Sequence, residues 1–189
     1  LGCGLGQDES TTALIRSLLL RTKSALPSLI LDADALNTLA TIPKWWQQLT
    51  DDAILTPHPG EMARLTGVSV DEVQSDRVGI AKKVAVEWHK TIVLKGAYTV
   101  IAAPDGQSRI SSVANPGLAS AGTGDVLTGA IAGLLAQGLS LFDAAGCGVF
   151  LHGEAGEMVK AKLGDAGMIA TDLLPALPLV IKQLKEHQT

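Results

Sequence analysis

Residues Asn115–Asp125 read NPGLASAGTGD and open directly onto the apolar run VLTGAIAGLL of Val126–Leu135. The pattern predicts a glycine-rich turn that feeds the N-terminus of a long helix, with the carboxylate of Asp125 at the junction. A helix N-terminus presents unpaired backbone N–H groups at the positive end of the helix dipole, where an anion can bind. Gly122 and Gly124 lack the Cβ atoms that would keep a ligand away from that backbone.

Asp125 has two interpretations at this position. A carboxylate repels a phosphate, so an acid beside an anion site makes sense as a general base that takes a proton from a substrate hydroxyl. The N–H groups would then hold the group that is transferred. The alternative is a capping acid that the helix dipole favours. The segment by itself leaves both open.

Length and composition indicate a globular protein and exclude several classes of function. The chain has 189 residues, of which 47% are apolar and 18% charged, enough for one domain with a substantial core. A net charge of −4 and only 3% aromatic residues argue against nucleic-acid binding. The longest apolar stretch, Val126 to Ala136, is too short to span a bilayer, so no membrane association is expected. Cys3 and Cys147 form no CxxC pair and fit a reducing, cytoplasmic compartment.

Predicted strands and helices alternate along the chain. The predicted strands are Ser28–Asp32, Ala53–Thr56, Thr91–Lys95 and a hairpin of Tyr98–Ala102 and Arg109–Val113. The predicted helices are Ser10 or Thr11 to about Lys23, a short one from Ala35, Pro43–Leu49, one entered through Pro59, Val70–Trp88, Gly124–Gln137, Leu141–Leu163 and Thr171–Glu186. This alternation predicts one α/β domain with a mostly parallel sheet and helices on both faces.

Unusual polar residues follow the predicted strands, at the edge of the sheet where ligands bind in such folds. They are Asp32, Asp34, His58, Glu61, Lys95 and the turn at 115–125. This convergence predicts a binding site more strongly than any one motif does.

Each of these residues also has a structural interpretation. His58 stands between two prolines in a stiff loop, and it could bind a substrate with Glu61 as orienter or metal partner, or simply begin a helix. Lys95 to Thr99 are typical of a nucleotide contact, or of a turn with an exposed lysine. Asp34 is expected to cap the next helix, a role that fits Asp32 poorly, and a role of this pair near Mg²⁺ is weakly indicated.

Two features of the predicted helices have a packing interpretation. His152 lies in an apolar helix and is expected to be a buried, hydrogen-bonded core histidine. The spacing of Gly129 and Gly133 predicts close packing of their helix on a sheet.

Taken together, the motifs resemble those of the ADP-dependent (S)-NAD(P)H-hydrate dehydratases, a family of the ribokinase-like superfamily. Five ordered motifs carry the resemblance, which covers nearly the whole chain: GCGLG at 2–6, LDADALN at 31–37, LTPHPGE at 55–61, KGAYT at 95–99 and GTGDVLTG at 122–129. The first loop departs from the family pattern because Cys3 replaces a proline.

The resemblance implies an activity and a set of site residues. The activity is dehydration of hydrated NADH or NADPH, the (6S)-NAD(P)H-hydrate, with ADP as co-substrate and Mg²⁺ as cofactor, yielding AMP, phosphate and the restored dinucleotide. Asp125 would be the catalytic base. The implied substrate contacts are Gly4, His58 and Asp125, and the implied nucleotide contacts are Lys95, Gly96, Ala97, Tyr98, Thr99 and Gly124. The resemblance leaves the ligands of the metal unknown.

The resemblance also implies an architecture. Residues 1–189 would form one ribokinase-like domain of three layers that lacks its first strands, assembled as a homotetramer. In many bacteria an epimerase domain precedes those strands.

Alternative functions stay open at this point. They are a small-alcohol kinase such as hydroxyethylthiazole kinase, which shares the Gly-Thr-Gly-Asp turn, and a nucleotide-binding module without catalysis. A Rossmann oxidoreductase is disfavoured, because the glycine spacing of residues 2–6 does not match the dinucleotide fingerprint. The choice between ADP and ATP, and between the two hydrates, is also open.

Overall fold

The computed structural model describes residues 1–20 and 26–186. Contacts within the chain divide it into two compact units. The first comprises Leu1–Lys95 and Val100–Arg109, and the second comprises Gly96–Thr99 and the chain from Ile110 onward. The single domain over residues 1–189 stays a prediction.

The first unit is built on a five-stranded sheet whose spatial order follows the chain, β1-β2-β3-β4-β5. The strands are β1 (Leu29–Leu31), β2 (Ala53–Leu55), β3 (Thr91–Leu94), β4 (Val100–Ala102) and β5 (Ser108–Ile110), the last residue of which falls in the second unit. β1, β2 and β3 pair in parallel, as predicted, and β4 pairs antiparallel with β3. The sheet is mixed, because the few residues after β3 can only reverse the chain into the predicted hairpin.

Helices occupy most of the remaining described chain. In the first unit they are α1 (Glu9–Leu20), α2 (Ala33–Ala40), a 3-10 turn (Trp45–Gln47), α3 (Pro59–Thr66), α4 (Val70–Ser75) and α5 (Arg77–Trp88). In the second they are a 3-10 turn (Pro116–Ala119), α6 (Thr123–Leu135), α7 (Leu141–Leu163) and α8 (Ala170–Glu186). Within residues 1–20 and 26–186, none of these helices has both the length and the apolar character that crossing a membrane requires.

The start of α1 differs from the prediction. Ser10 or Thr11 was expected to cap this helix, but the helix begins at Glu9. The carboxylate of Asp8 accepts a hydrogen bond from the Thr11 nitrogen at 2.9 Å, so Asp8 takes the capping role. The predicted end near Lys23 lies outside the described residues.

The start of α2 also differs. Asp32, and not Asp34, is the N-cap residue, and its carboxylate accepts from the Ala33 nitrogen at 2.8 Å. The prediction that Asp34 caps this helix was wrong, because Asp34 accepts instead from the Gly6 nitrogen at 2.8 Å. The Asp34 carboxylate, which the sequence predicted to cap α2, therefore binds the first loop.

The predicted helix over Val70–Trp88 is two helices. Asp76 leaves the helical region with φ −142° and ψ 63°, and its carboxylate accepts from the Gly79 nitrogen at 2.8 Å to start α5. The prediction of one helix was wrong, because an aspartate three residues before a glycine N–H competes with the helical backbone and caps a new helix.

The core of the first unit is formed by the buried faces of β1 to β4 with the inner faces of their helices. Trp45 is 1% exposed, and its ring centroid lies 4.9 Å from that of Trp88 in an edge-on arrangement. Trp46 stacks on Trp88 at 5.9 Å. The pair Trp45 and Trp46 therefore serves packing.

Close packing in the second unit depends on a glycine that the sequence did not single out. A Cβ at Gly148 of α7 would lie 2.5 Å from Cγ1 and 3.2 Å from Cα of Ile131 in α6, so the glycine lets the two helices approach. Gly129 and Gly133 are exposed, and a Cβ at either meets no described atom within 4 Å. The prediction that they mark the close contact was wrong.

The two kinds of glycine are expected to respond in opposite ways to alanine. Gly148→Ala should lower the free energy of unfolding by about 1–3 kcal/mol, since the Cα of Ile131 cannot move aside as a side chain can. Gly129→Ala, in the exposed interior of α6, should raise it by about 0.5–1 kcal/mol. Urea unfolding followed by circular dichroism measures both, and equal effects would contradict this packing.

Candidate functional site

The first unit gathers four of the predicted polar residues at the carboxyl ends of its parallel strands. Asp32 follows β1, His58 and Glu61 follow β2, and Lys95 follows β3. We call Asp32, His58, Glu61 and Lys95 the Lys95 cluster. Their convergence, which the strand ends predicted, is confirmed.

Lys95 holds this cluster together. Its Nζ lies 2.5 Å from Oδ1 of Asp32 and 3.8 Å from Oε2 of Glu61. Asp32 is 1% exposed and Glu61 4% exposed, so both carboxylates need a partner to offset the loss of water. The structural alternative of an exposed lysine at a turn is excluded, because the Lys95 side chain is only 18% exposed.

His58 caps α3 with its imidazole ring. Nδ1 accepts hydrogen bonds from the nitrogens of Gly60 at 3.0 Å and Glu61 at 3.3 Å. In return, Oε2 of Glu61 accepts a hydrogen bond from the His58 backbone nitrogen at 2.7 Å, which completes a capping box. Pro59 occupies the first helical position, as predicted. The structural interpretation of this motif is therefore confirmed, because the ring begins the helix. The binding of a substrate by His58 stays a prediction.

The surroundings of the His58 ring favour its neutral form. Partial burial lowers the pKa of His58 below its usual value of 6.5; Lys95 and Arg64 reinforce this effect, whereas Glu61 opposes it. Nε2 lies 3.4 Å from Oε1 of Glu61, and the side chain is 50% exposed. A neutral, half-exposed ring can donate or accept a hydrogen bond but supplies no charge.

Sequence reasoning missed Arg77, which supports the strand end before Lys95. Its Nη2 donates to the carbonyl oxygens of Leu94 at 3.0 Å and Lys95 at 3.2 Å. Burial lowers the pKa of Arg77. A prediction that one helix ends at Asp76 would have singled out Arg77, because Arg77 is then the first residue of α5.

The first loop packs against β1. The Leu1 nitrogen donates to the Ile30 carbonyl at 2.7 Å, and the Asp32 nitrogen donates to the Leu1 carbonyl at 3.1 Å. A Cβ at Gly2 would overlap the carbonyl oxygen of Asp32, so the loop can take this path only with glycine. Gly4 is exposed with φ +68°, and its contact with a substrate stays a prediction.

The second unit contains the remaining predicted nucleotide contacts. Gly96 has φ 141° and Tyr98 has φ 54°, both in the region that glycine favours. The hydroxyl of Thr99 donates to the Gly96 carbonyl at 2.9 Å, and the Tyr98 nitrogen donates to the Val113 carbonyl at 3.0 Å. Ala97 and Tyr98 are exposed. These bonds form a tight turn with exposed residues at its tip.

The turn before α6 is held by its own polar side chains. Oδ1 of Asn115, which is buried, accepts from the Gly117 nitrogen at 2.9 Å. The hydroxyl of Thr123 donates to the carbonyls of Leu118 at 2.6 Å and Ser120 at 2.8 Å. The N-cap residue of α6 is Gly122, with φ 84°, which has no side chain to cap the first turn. The predicted glycine-rich turn and helix start are confirmed.

Asp125 lies in the first turn of α6 and is exposed. The helix start beneath it is fixed from α7, where Nε2 of His152 lies 2.9 Å from the Thr123 carbonyl oxygen. His152 is 7% exposed, which agrees with the predicted core histidine. An exposed carboxylate on a rigid helix start can act as a general base. The backbone nitrogen of Asp125 donates to the Gly122 carbonyl.

N–H groups already bind two acids of the first unit. Asp32 Oδ1 already accepts from Lys95 and Ala33, and Glu61 Oε2 from His58. The weakly indicated role of Asp32 and Asp34 near Mg²⁺ stays a prediction. Mg²⁺ at nucleotide sites is commonly held by phosphates and retained waters.

Comparison with known proteins gives a family. The model of the NAD(P)H-hydrate dehydratase family matches residues 1–179. The chain is 50% identical over 190 aligned positions to the bifunctional NAD(P)H-hydrate repair enzyme Nnr of Moorella thermoacetica, covering 99% of this chain and 35% of that protein. It is 41% identical over 179 positions to the ADP-dependent (S)-NAD(P)H-hydrate dehydratase of Neisseria meningitidis, covering 93% of this chain and 60% of that protein.

A solved structure shows the same fold. The ADP/ATP-dependent NAD(P)H-hydrate dehydratase of Bacillus subtilis, co-crystallised with ATP and Mg²⁺, matches with a TM-score of 0.82 and 38% identity, over 97% of this chain and 63% of that one. The predicted ribokinase-like α/β fold is therefore confirmed. The chain spans about a third of the Moorella protein and less than two thirds of the other two.

The capping role of His58 predicts a pH-dependent stability. Because its pKa is lower in the folded protein, the unfolded chain binds more protons as the pH falls through 6.5, and the stability present above that pH is lost. The slope cannot exceed about 1.4 kcal/mol per pH unit for one proton, and half-exposure reduces it.

His58→Asn keeps a capping oxygen and removes the titrating ring, so its free energy of unfolding should vary less than the wild type's between pH 7 and pH 5. Urea unfolding at a series of pH values measures the difference. Parallel curves for the two proteins would disprove the assignment.

Proposed function

Because this chain belongs to the NAD(P)H-hydrate dehydratase family, we propose that it catalyses the ADP-dependent dehydration of (6S)-NAD(P)H-hydrate to NADH or NADPH, with release of AMP and phosphate. The observation that carries the proposal is the family match over residues 1–179 together with the polar residues that converge at the strand ends. The names of the Neisseria and Bacillus relatives support the use of a nucleotide.

The proposed substrate contacts are Gly4 and His58 of the first unit and Asp125 of the second unit. Gly4 lies on the loop that β1 and Asp32 hold in place, and His58 offers a neutral hydrogen-bonding group. Asp125 stands exposed on a fixed helix start. A neutral hydrogen-bonding group suits an uncharged ring, and an exposed carboxylate suits the hydroxyl of that ring.

The proposed nucleotide contacts are the backbone of Gly96, Ala97, Tyr98, Thr99 and Gly124, with Lys95. In the turn at 96–99, Gly96 and Ala97 are exposed, whereas the Tyr98 nitrogen donates to the Val113 carbonyl. Gly124 lies in a first turn whose N-cap has no side chain. Such N–H groups suit phosphate oxygens. Lys95 is paired with Asp32, so it would approach the nucleotide as part of a neutralised group.

Asp125 supplies the general base in this proposal. It takes the proton from the ring hydroxyl of the hydrate as that oxygen forms a bond to the terminal phosphorus of ADP, and the bond from that phosphorus to AMP breaks. The N–H groups at the start of α6 stabilise the charge that develops on the transferred group. The ring nitrogen then expels phosphate, and loss of a proton from the neighbouring ring carbon restores the reduced ring.

Mg²⁺ would lower the charge of the nucleotide phosphates when bound. We assign no side chain as its ligand. The cytoplasm, a homotetramer and an epimerase activity on the same protein, as in the bifunctional relatives, belong to this proposal too.

The proposed activity predicts that full-length protein restores NADH from its hydrate only when a nucleotide is present. Hydrated NADH and Mg²⁺ are incubated with ADP, with ATP or with neither, and the reduced-nicotinamide absorbance is followed. Recovery without any nucleotide would disprove the scheme. Consumption of ATP with a stable phosphorylated alcohol and no recovery would favour the small-alcohol kinase, and binding without turnover the non-catalytic module.

Asp125→Asn should lower kcat by about 10²–10⁴-fold, the usual loss when a general base is removed. Folding should be intact, because the side chain is exposed. Asp71→Asn is the matched control, since it removes a first-turn carboxylate from α4 outside the proposed site. Full activity of Asp125→Asn in a folded protein would show that Asp125 is only a capping acid.

A further inference from the structure

The capping geometry of His58 has a consequence for the proposed reaction. We propose that capping α3 fixes the His58 ring as its Nε2–H tautomer, and that Glu61 is the positioning residue that aims this N–H at a neutral oxygen of the hydrated dinucleotide. The second part rests on the proposed function. The first part does not, because it follows from contacts within the first unit.

The tautomer follows from the donors around Nδ1. Two backbone N–H groups, of Gly60 at 3.0 Å and Glu61 at 3.3 Å, point at this nitrogen. Both groups can only donate, so Nδ1 must offer a lone pair and carry no proton. A neutral imidazole has one N–H group, which is therefore at Nε2. The partial burial that lowers the pKa of His58 favours the same neutral ring.

Glu61 decides where this N–H group points. It is 4% exposed and is held on two sides, by the His58 backbone nitrogen at 2.7 Å and by Lys95 Nζ at 3.8 Å from Oε2. Lys95 is in turn anchored to Asp32. With Oε2 held in this way, Oε1 faces the imidazole edge at 3.4 Å from Nε2.

The contact between Nε2 and Glu61 leaves room for a ligand. A separation of 3.4 Å is longer than the 2.7–3.2 Å of an ordinary N–H···O bond, so the proton is oriented but weakly bound. The side chain is 50% exposed, and a stronger acceptor can reach it from solvent.

The chemistry of the donor selects the acceptor. A neutral N–H group gives no charge to a phosphate, whereas it matches a carbonyl oxygen well. A donor on the ring hydroxyl would weaken that oxygen as a nucleophile. The carboxamide carbonyl of the hydrated ring is conjugated with the ring nitrogen and is therefore a strong neutral acceptor. His58 would then orient the ring, an effect on KM more than on kcat.

Two substitutions at His58 separate the cap from the donor. In His58→Asn the amide oxygen replaces Nδ1 as the capping acceptor, but nothing reaches the position of Nε2. In His58→Gln the longer amide places an N–H near that position and gives up the favoured cap. We expect His58→Asn to keep the melting temperature and raise KM about tenfold, the worth of one hydrogen bond. His58→Gln should lower the melting temperature and keep KM nearer the wild type.

Glu61→Gln tests the positioning role. Its amide oxygen should stay with the His58 backbone nitrogen, which leaves the NH₂ group facing Nε2–H and displaces the ring. KM should rise about as much as in His58→Asn, and the double variant should show no further rise, because Glu61 acts through His58. Additive effects would overturn the positioning role, and an unchanged KM in His58→Asn would overturn the donor.

Nitrogen NMR of the full-length protein decides the tautomer independently of activity. At a pH above 7, Nδ1 of His58 should give a pyridine-type resonance and Nε2 a pyrrole-type one, assigned by their loss in His58→Asn. The reverse pattern, or a mixture, would overturn the tautomer. If the wild-type protein restores no NADH, the proposed function and the aim at the hydrate both fail, while this spectrum still confirms or overturns the tautomer.

Discussion

The ion pair between Asp32 and Lys95 joins the carboxyl ends of β1 and β3 and determines how the polar residues of the first unit lie. Asp32 is nearly inaccessible to solvent, so its charge needs the ammonium group 2.5 Å away. The same carboxylate caps α2, and the same ammonium lies beside Glu61. The Glu61 carboxylate accepts a hydrogen bond from the His58 backbone nitrogen. The ion pair between Asp32 and Lys95 therefore helps to fix the position of the half-exposed His58 ring.

The second unit depends on a different constraint, a rigid helix start. Gly148 lets α6 and α7 approach, and His152 of α7 binds the carbonyl of Thr123. The hydroxyl of Thr123 donates hydrogen bonds to carbonyls of the preceding turn. The N-terminal turn of α6 is therefore held both by α7 and by the preceding turn. The exposed carboxylate of Asp125 is attached to a backbone that has little freedom to shift.

Sequence patterns predicted the elements better than their ends. Helix α7 has the predicted bounds Leu141–Leu163, and β1 to β4 lie inside their predicted segments, because apolar periodicity is a local property. β5 begins at Ser108, one residue before the predicted strand Arg109–Val113, and it ends at Ile110. The errors fall where side chains compete for one backbone N–H. Asp32 displaced Asp34 as a cap because the first loop claimed Asp34, and Asp76 ended one helix by starting another.

The sequence by itself determined the α/β class, the order of the strands' polar ends, the glycine-rich start of α6 and the family, since these depend on local composition and ordered motifs. Only the tertiary structure decided that Lys95 pairs with Asp32, 63 positions away, and that Gly148 and not Gly129 makes the helix contact. It also decided which nitrogen of His58 carries the proton. Charge pairing, desolvation and tautomer choice depend on distances in space, and spacing along the chain does not contain them.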